Sequence, residues 1–76
     1  MSEGNVLAKK SVDATHEWRK SQDFAEGDYI TGLGQDMLVT EVEVSERIVR
    51  IFYVHNDKVR IKIGAVGDDY IAKKRE

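Results

Sequence analysis

The chain contains neither cysteine nor proline in its 76 residues. Without thiols it builds no disulfide framework and no thiolate zinc site, which fits a reducing compartment. Aromatic residues are few, two Phe, one Trp and three Tyr, so the position of each carries weight. Apolar runs are only a few residues long, far short of the roughly 20 needed to span a bilayer as a helix, and no membrane partner is expected. The opening Met1-Ser2-Glu3-Gly4-Asn5 lacks the basic-then-apolar layout of a secretory leader. The length fits one small domain. With 41 % hydrophobic and 34 % charged residues the composition is globular rather than disordered. An elaborate enzyme pocket is not expected at this size.

Charge is present but unevenly placed. Residues 1–46 carry Lys9, Lys10, Arg19 and Lys20 against ten acids, a net of −6, whereas residues 47–76 carry eight Lys or Arg against four acids, a net of +4. The overall net of −2 and pI near 5.7 therefore conceal a basic C-terminal half. Such an asymmetry points to a polyanionic or acidic partner, or simply to solvated strand faces of different sign.

Residues 1–21 show no sustained period and read as a partly flexible N-terminal arm, with Val6-Leu7-Ala8 and Lys9-Lys10 as a short strand or frayed end. Trp18 lies in this polar stretch and reads as an anchor pinning the arm to the domain of residues 22–76. Phe24-Ala25-Glu26-Gly27-Asp28-Tyr29-Ile30 reads as a turn feeding a strand. From Met37 the pattern alternates, Leu38, Thr40, Val42 and Val44 on one side, Val39, Glu41, Glu43 and Ser45 on the other. Arg47 to His55 is rich in β-branched and aromatic residues. Asn56-Asp57 then fits a two-residue hairpin turn, since both residues tolerate positive φ. Lys58 to Ile63 alternates cleanly, Gly64 to Asp68 is a loop, and Tyr70-Ile71-Ala72 is either a last strand or the start of a short C-terminal helical turn. About five strands with turn signals near every tenth residue predict an all-β fold, a small five-stranded SH3/Tudor-like barrel.

A two-residue turn at Asn56-Asp57 fixes a register. His55 faces Lys58, Val54 faces Val59, Tyr53 faces Arg60, Phe52 faces Ile61, and Ile51 faces Lys62. One face then collects Phe52, Val54, Val59, Ile61 and Ile63 and is expected to be the core face. The other collects Ile51, Tyr53, His55, Lys58, Arg60 and Lys62. Cations for phosphates beside an aromatic ring make that second face a candidate nucleic-acid platform. The plainer reading is a solvated face whose charges guard a sheet edge.

Catalytic patterns are missing. His16 and His55 are far apart and show no zinc-ligand spacing. Asp68-Asp69 in a Gly-bounded loop reads as a turn rather than a cation site. Gly32-x-Gly34 opens no helix and so is no phosphate-binding fingerprint. Ser2, Ser11, Ser21 and Ser45 sit in no nucleophile context. No catalytic residue, metal site or cofactor is expected.

Three segments recur in one order: Phe24-Ala25-Glu26-Gly27-Asp28-Tyr29-Ile30, Phe52-Tyr53-Val54-His55 and Asp68-Asp69-Tyr70-Ile71. Together they resemble the chromo barrel, or Tudor-knot, domain found in MYST-type histone acetyltransferases and associated chromatin proteins, over about residues 24–73. The resemblance implies a non-catalytic module in the nucleus, accessory to an acetyltransferase, binding RNA or nucleosomal nucleic acid, a histone tail or complex subunits. It departs from the family where Asn56-Asp57 replaces an aromatic-containing turn and where Tyr70 replaces the closing Trp, which weakens a methyl-lysine cage. The hairpin from Val49 to Ala65 is similar, secondly, to the middle hairpin of the carbon storage regulator family of bacterial RNA-binding translational regulators.

The expected nucleic-acid contacts are Arg50, Tyr53, Lys58, Arg60 and Lys62, with Lys73, Lys74 and Arg75 as auxiliary charge. Arg50 is the weakest of these, because the hairpin register points it toward the expected core face. Under the methyl-lysine reading the peptide contacts are Tyr29, Tyr53 and Tyr70.

Overall fold

The computed structural model describes residues 12–75. Six strands form: β1 (His16–Lys20), β2 (Tyr29–Gly32), β3 (Gln35–Ser45), β4 (Ile48–His55), β5 (Lys58–Ala65) and β6 (Asp69–Lys73). They make one open antiparallel sheet in the order β1-β6-β2-β3-β4-β5. The all-β expectation holds, with six strands in place of five. Tyr70-Ile71-Ala72 lies in a strand, so the helical-turn alternative is corrected, and no α-helix forms among the described residues.

The extra strand is β1, which falls in the segment read as an arm; residues 1–11 of that arm lie outside the described residues. β1 carries little apolar surface, so it has no hydrophobic alternation to detect. Its attachment to β6 is partly electrostatic. Lys20 is registered opposite Asp69, and its Nζ lies 3.0 Å from Asp69 Oδ1, the opposite-charge pairing that favours a given register.

Turns follow residue chemistry. Leu33-Gly34 joins β2 to β3, with φ of 54° and 77°. Asn56 and Asp57 take φ of 55° and 63°, the mirror-image turn whose twist matches a two-residue hairpin. All five predicted hairpin pairs, from His55 opposite Lys58 to Ile51 opposite Lys62, are present.

The core comprises Phe24, Ile30, Met37, Val39, Val49, Ile51 and Ala72, with Val42, Tyr53 and Tyr70 packed against it. This corrects the assignment of faces. Val49 and Ile51 are buried, so the parity of β4 shared with Tyr53 and His55 is the inward one. The set expected in the core lies on the outer side, where Val59, Ile61 and Ile63 are 63 %, 52 % and 65 % exposed. The cause is that β4 is apolar at both parities, while β5 stands at the end of the sheet with no described residue packed on its outer face. β3 departs from its expected alternation as well. A bulge between Val39 and Glu41 inserts one residue and switches parity. Val39 and Val42 therefore both face inward, against buried Val49 and Ile51 and half-buried Tyr53.

Candidate functional site

Pairing between β2 and β6 is reduced to one registered pair, Ile30 with Ala72. Beyond it the two strands part, and a cleft of about 510 Å³ occupies the space where the ladder would continue. Its walls come from four parts of the chain: Trp18 on β1, residues 30–33 and Met37 on the β2–β3 hairpin, Tyr53 and Lys62 on the β4–β5 hairpin, and Asp69, Tyr70 and Ile71 on β6. The gap lets residues of both sheet faces line one opening, which no single-strand periodicity would reveal.

The Tyr70 ring is held from several sides. Phe24 lies 6.4 Å away, centroid to centroid, at a tilt of 56°. The phenol donates to Asp68 Oδ2 at 3.4 Å, and that oxygen also accepts the Ala65 N–H at 2.9 Å. Burial, followed by the neighbouring Asp68 charge, pushes the Tyr70 hydroxyl above its ordinary pKa, so the ring stays neutral. Gly64 makes the arrangement possible: a Cβ there would stand 2.2 Å from the Tyr70 hydroxyl oxygen. Lys62 Nζ lies over the ring at 4.9 Å from its centroid, within cation–π range.

From this cleft a line of positive charge runs along β5. Lys62, Arg60 and Lys58 share the parity of Tyr53 and are all exposed. Among the described residues, Lys58 and Arg60 take part in no ion pair, so their charge is uncompensated. His55 stands at the same face, its Nε2 3.2 Å from Gln35 Nε2.

The remaining expected contacts lie elsewhere. Arg50 is opposite Ile63 and Glu43, on the outer face. Lys73, Lys74 and Arg75 line a separate depression with Gly27, Asp28 and Tyr29. There Lys73 Nζ lies 5.6 Å from the Tyr29 ring centroid. Arg75 is committed to Asp28, with Nε at 2.8 Å from Oδ1 and an Nη at 2.7 Å from Oδ2. Of the three tyrosines, Tyr53 and Tyr70 meet at the cleft and Tyr29 does not. Trp18 joins them, a residue that sequence reasoning took for an anchor.

Two other polar clusters stabilise the opposite half. Asp28 is 8 % exposed and is flanked by Arg75 and by Arg19, whose Nη1 lies 3.4 Å from Asp28 Oδ2. Hydrogen bonding from Arg75 holds the Asp28 carboxyl below its usual pKa against the opposing effect of burial. Arg19 is itself 7 % exposed, pairs with Glu17 and lies 5.5 Å from the Phe24 ring centroid. At the start of β1, His16 bridges Asp13 through Nδ1 and Asp36 through Nε2, each at 2.8 Å. Hydrogen bonds to Asp13 and then Asp36 raise the His16 pKa above its ordinary value. Asp13 is lowered chiefly by the Thr15 hydroxyl and Asp36 chiefly by the Thr31 hydroxyl, with His16 second in each case. Among the described residues no group of three or more acidic, His or Cys side chains is placed to hold a metal ion, and no helix is long and apolar enough to cross a membrane.

Comparison with models of protein families, with curated proteins and with solved structures finds no match for this chain.

Proposed function

We propose that the chain is a non-catalytic nucleic-acid-binding module that engages RNA or nucleosomal nucleic acid through the inward-parity face of its β4–β5 hairpin. One observation carries the reading: Lys58, Arg60 and Lys62 stand on one face beside Tyr53, and Lys58 and Arg60 have no ion-pair partner among the described residues. Phosphates would release counterions from these cations, giving affinity with little sequence discrimination. The resemblance to the chromo barrel supports a nuclear, chromatin-associated setting, accessory to an acetyltransferase. It is also consistent with how the open sheet curls. Ser21, just after β1, donates its backbone N–H to Asp68 O and its hydroxyl to Ala65 O, both at 2.7 Å. The hydroxyl bond joins the end of β1 to the end of β5, as a nearly closed SH3/Tudor-like barrel would, while the N–H bond continues the β1–β6 pairing.

A methyl-lysine reader is the second reading, favoured by the convergence of Trp18, Tyr53 and Tyr70 on one cleft. Against it stands Lys62, whose ammonium already lies over the Tyr70 ring. A methylated ammonium entering there would meet a like charge, whereas an anionic ligand would be attracted.

The test is a titration with single-stranded RNA at two salt concentrations. Binding should weaken as salt rises. Replacing Lys58, Arg60 and Lys62 together with Gln should lower affinity about tenfold or more at low salt and flatten the logarithmic salt slope by about 2, at roughly 0.7 per lost phosphate contact. Salt-independent binding, or an unaffected triple variant, refutes the phosphate mechanism.

A further inference from the structure

We infer that the cleft between β2 and β6 is a pocket for one unstacked nucleobase, so that the chain selects single-stranded over duplex nucleic acid. This rests on the nucleic-acid reading above and adds what the cations alone do not supply. Three aromatic side chains, Trp18, Tyr53 and Tyr70, border the opening. Flat rings offer stacking planes that accept any base, because every base has a π face. At about 510 Å³ the cleft has the size of an ordinary small-ligand pocket, room enough for a base with part of its sugar. Its walls include stretches of β2 and β6 that no longer pair with each other, so main-chain groups there can meet the polar edge of a base.

Position decides the ligand class. Lys62 belongs to the cleft and to the cationic track at once, lying over Tyr70 while Arg60 and Lys58 continue along the same face of β5. Alternate residues of a strand are about 7 Å apart, a step that an extended, unstacked sugar–phosphate chain makes between successive phosphates. A strand laid along β5 would therefore place phosphates on the cations as its end base enters the cleft. A duplex keeps its bases stacked inside and reaches only the cations. The pocket also has a fixed wall, since Tyr70 is braced by Phe24, by Asp68 and by the bare backbone of Gly64.

Trp18 is the single tryptophan of the chain, so its fluorescence reports on the cleft alone. The experiment titrates the whole protein at low salt with a ten-residue oligouridine, with an abasic strand of the same length and charge, and with a duplex. The oligouridine should quench Trp18 and bind about tenfold tighter than the abasic strand, near the lower end of what stacking one base provides. Y53L and Y70L should each abolish the difference between oligouridine and the abasic strand. The comparison within the wild-type protein stands even if either variant fails to fold. Equal affinity for oligouridine, abasic strand and duplex, with Trp18 unchanged at saturation, overturns the base pocket and leaves the phosphate reading intact. Absence of binding to all three overturns both. A trimethyl-lysine peptide that quenches Trp18 while oligouridine does not overturns the assignment of ligand class.

Discussion

The two ends of the sheet treat charge in opposite ways. In the β1–β6–β2 half four cations stand beside acids: Lys20 beside Asp69, Arg19 beside Glu17 and Asp28, Arg75 beside Asp28, and His16 between Asp13 and Asp36, while Lys73 lies over the Tyr29 ring. In the β4–β5 hairpin Lys58 and Arg60 have no acidic partner among the described residues, and Lys62 lies over a ring rather than a carboxylate. The first half sets its ion pairs around buried Phe24, Ile30 and Ala72. The second is anchored by Val49 and Ile51, buried at its base, and leaves its charge free to act on a partner. Stability and binding are thus separable, and three changes put that separation to the test.

The largest effect is expected at Asp28. D28N removes the carboxylate from between Arg19 and Arg75 and leaves a guanidinium that is 7 % exposed with Glu17 as its remaining acidic partner among the described residues. Loss of one partner of a buried pair costs several kcal/mol, and with Arg75 more exposed the expected destabilisation is about 3 kcal/mol in chemical denaturation. RNA affinity of the folded fraction should stay as it was. A parallel loss of affinity would show that the two halves are coupled.

A smaller effect should follow pH. The His16 pKa is raised in the folded state, so the bridge is complete below the ordinary histidine value of 6.5. Its contribution fades as pH rises through the higher folded value. The carboxylates of Asp13, Asp28 and Asp36 are lowered. Their contributions are present above the usual carboxylate range and fade as pH falls through their depressed values. The denaturation midpoint should therefore decline on both sides of mildly acidic pH, and in H16Q the decline on the alkaline side should disappear. An unchanged alkaline limb in H16Q would remove His16 from the stability of β1.

The smallest change is at the hairpin tip. Asp57 holds φ at 63°, where glycine carries no Cβ penalty, so D57G should stabilise the chain by up to about 1 kcal/mol. It also deletes an acid next to Lys58, and RNA affinity should rise by less than threefold. Weaker RNA binding in a stabilised D57G would mean that the tip itself contacts the ligand.

How much of this was legible in the sequence differs by element. The hairpin register was, because Asn56-Asp57 admits a tight turn and the alternation of Lys58 to Ile63 then fixes every pair. The identity of the inward face was not. Both parities of β4 are apolar, and the polarity of β5 pointed outward for residues that stand at the margin of the core. β1 escaped notice because its buried member is Arg19, whose burial depends on Asp28 and Phe24, residues that alternation does not connect to it. The bulge at Thr40 left no mark in a run where Thr40, Val42 and Val44 alternate without interruption. The cleft was least visible. It arises from the single-pair contact of β2 with β6, a tertiary event, and it gathers Trp18, Tyr53 and Tyr70 from widely separated positions. Tyr53 and Lys62 were legible through the hairpin and Tyr70 through the closing segment of the resemblance; a lone tryptophan in a polar segment was the one further signal available.

The outermost strand has a consequence for how copies of the chain meet. Among the described residues β5 pairs only with β4, and its outward-facing aliphatic residues make it the kind of border along which sheets join end to end. A two-fold junction centred on Arg60, Ile61 or Lys62 would set positive side chains directly against one another, an unfavourable pairing. The same residues that would greet a polyanion therefore keep neighbouring molecules apart. Stripping them to abolish binding also removes that repulsion, and such a variant should be watched for growth of sheet-joined particles by light scattering.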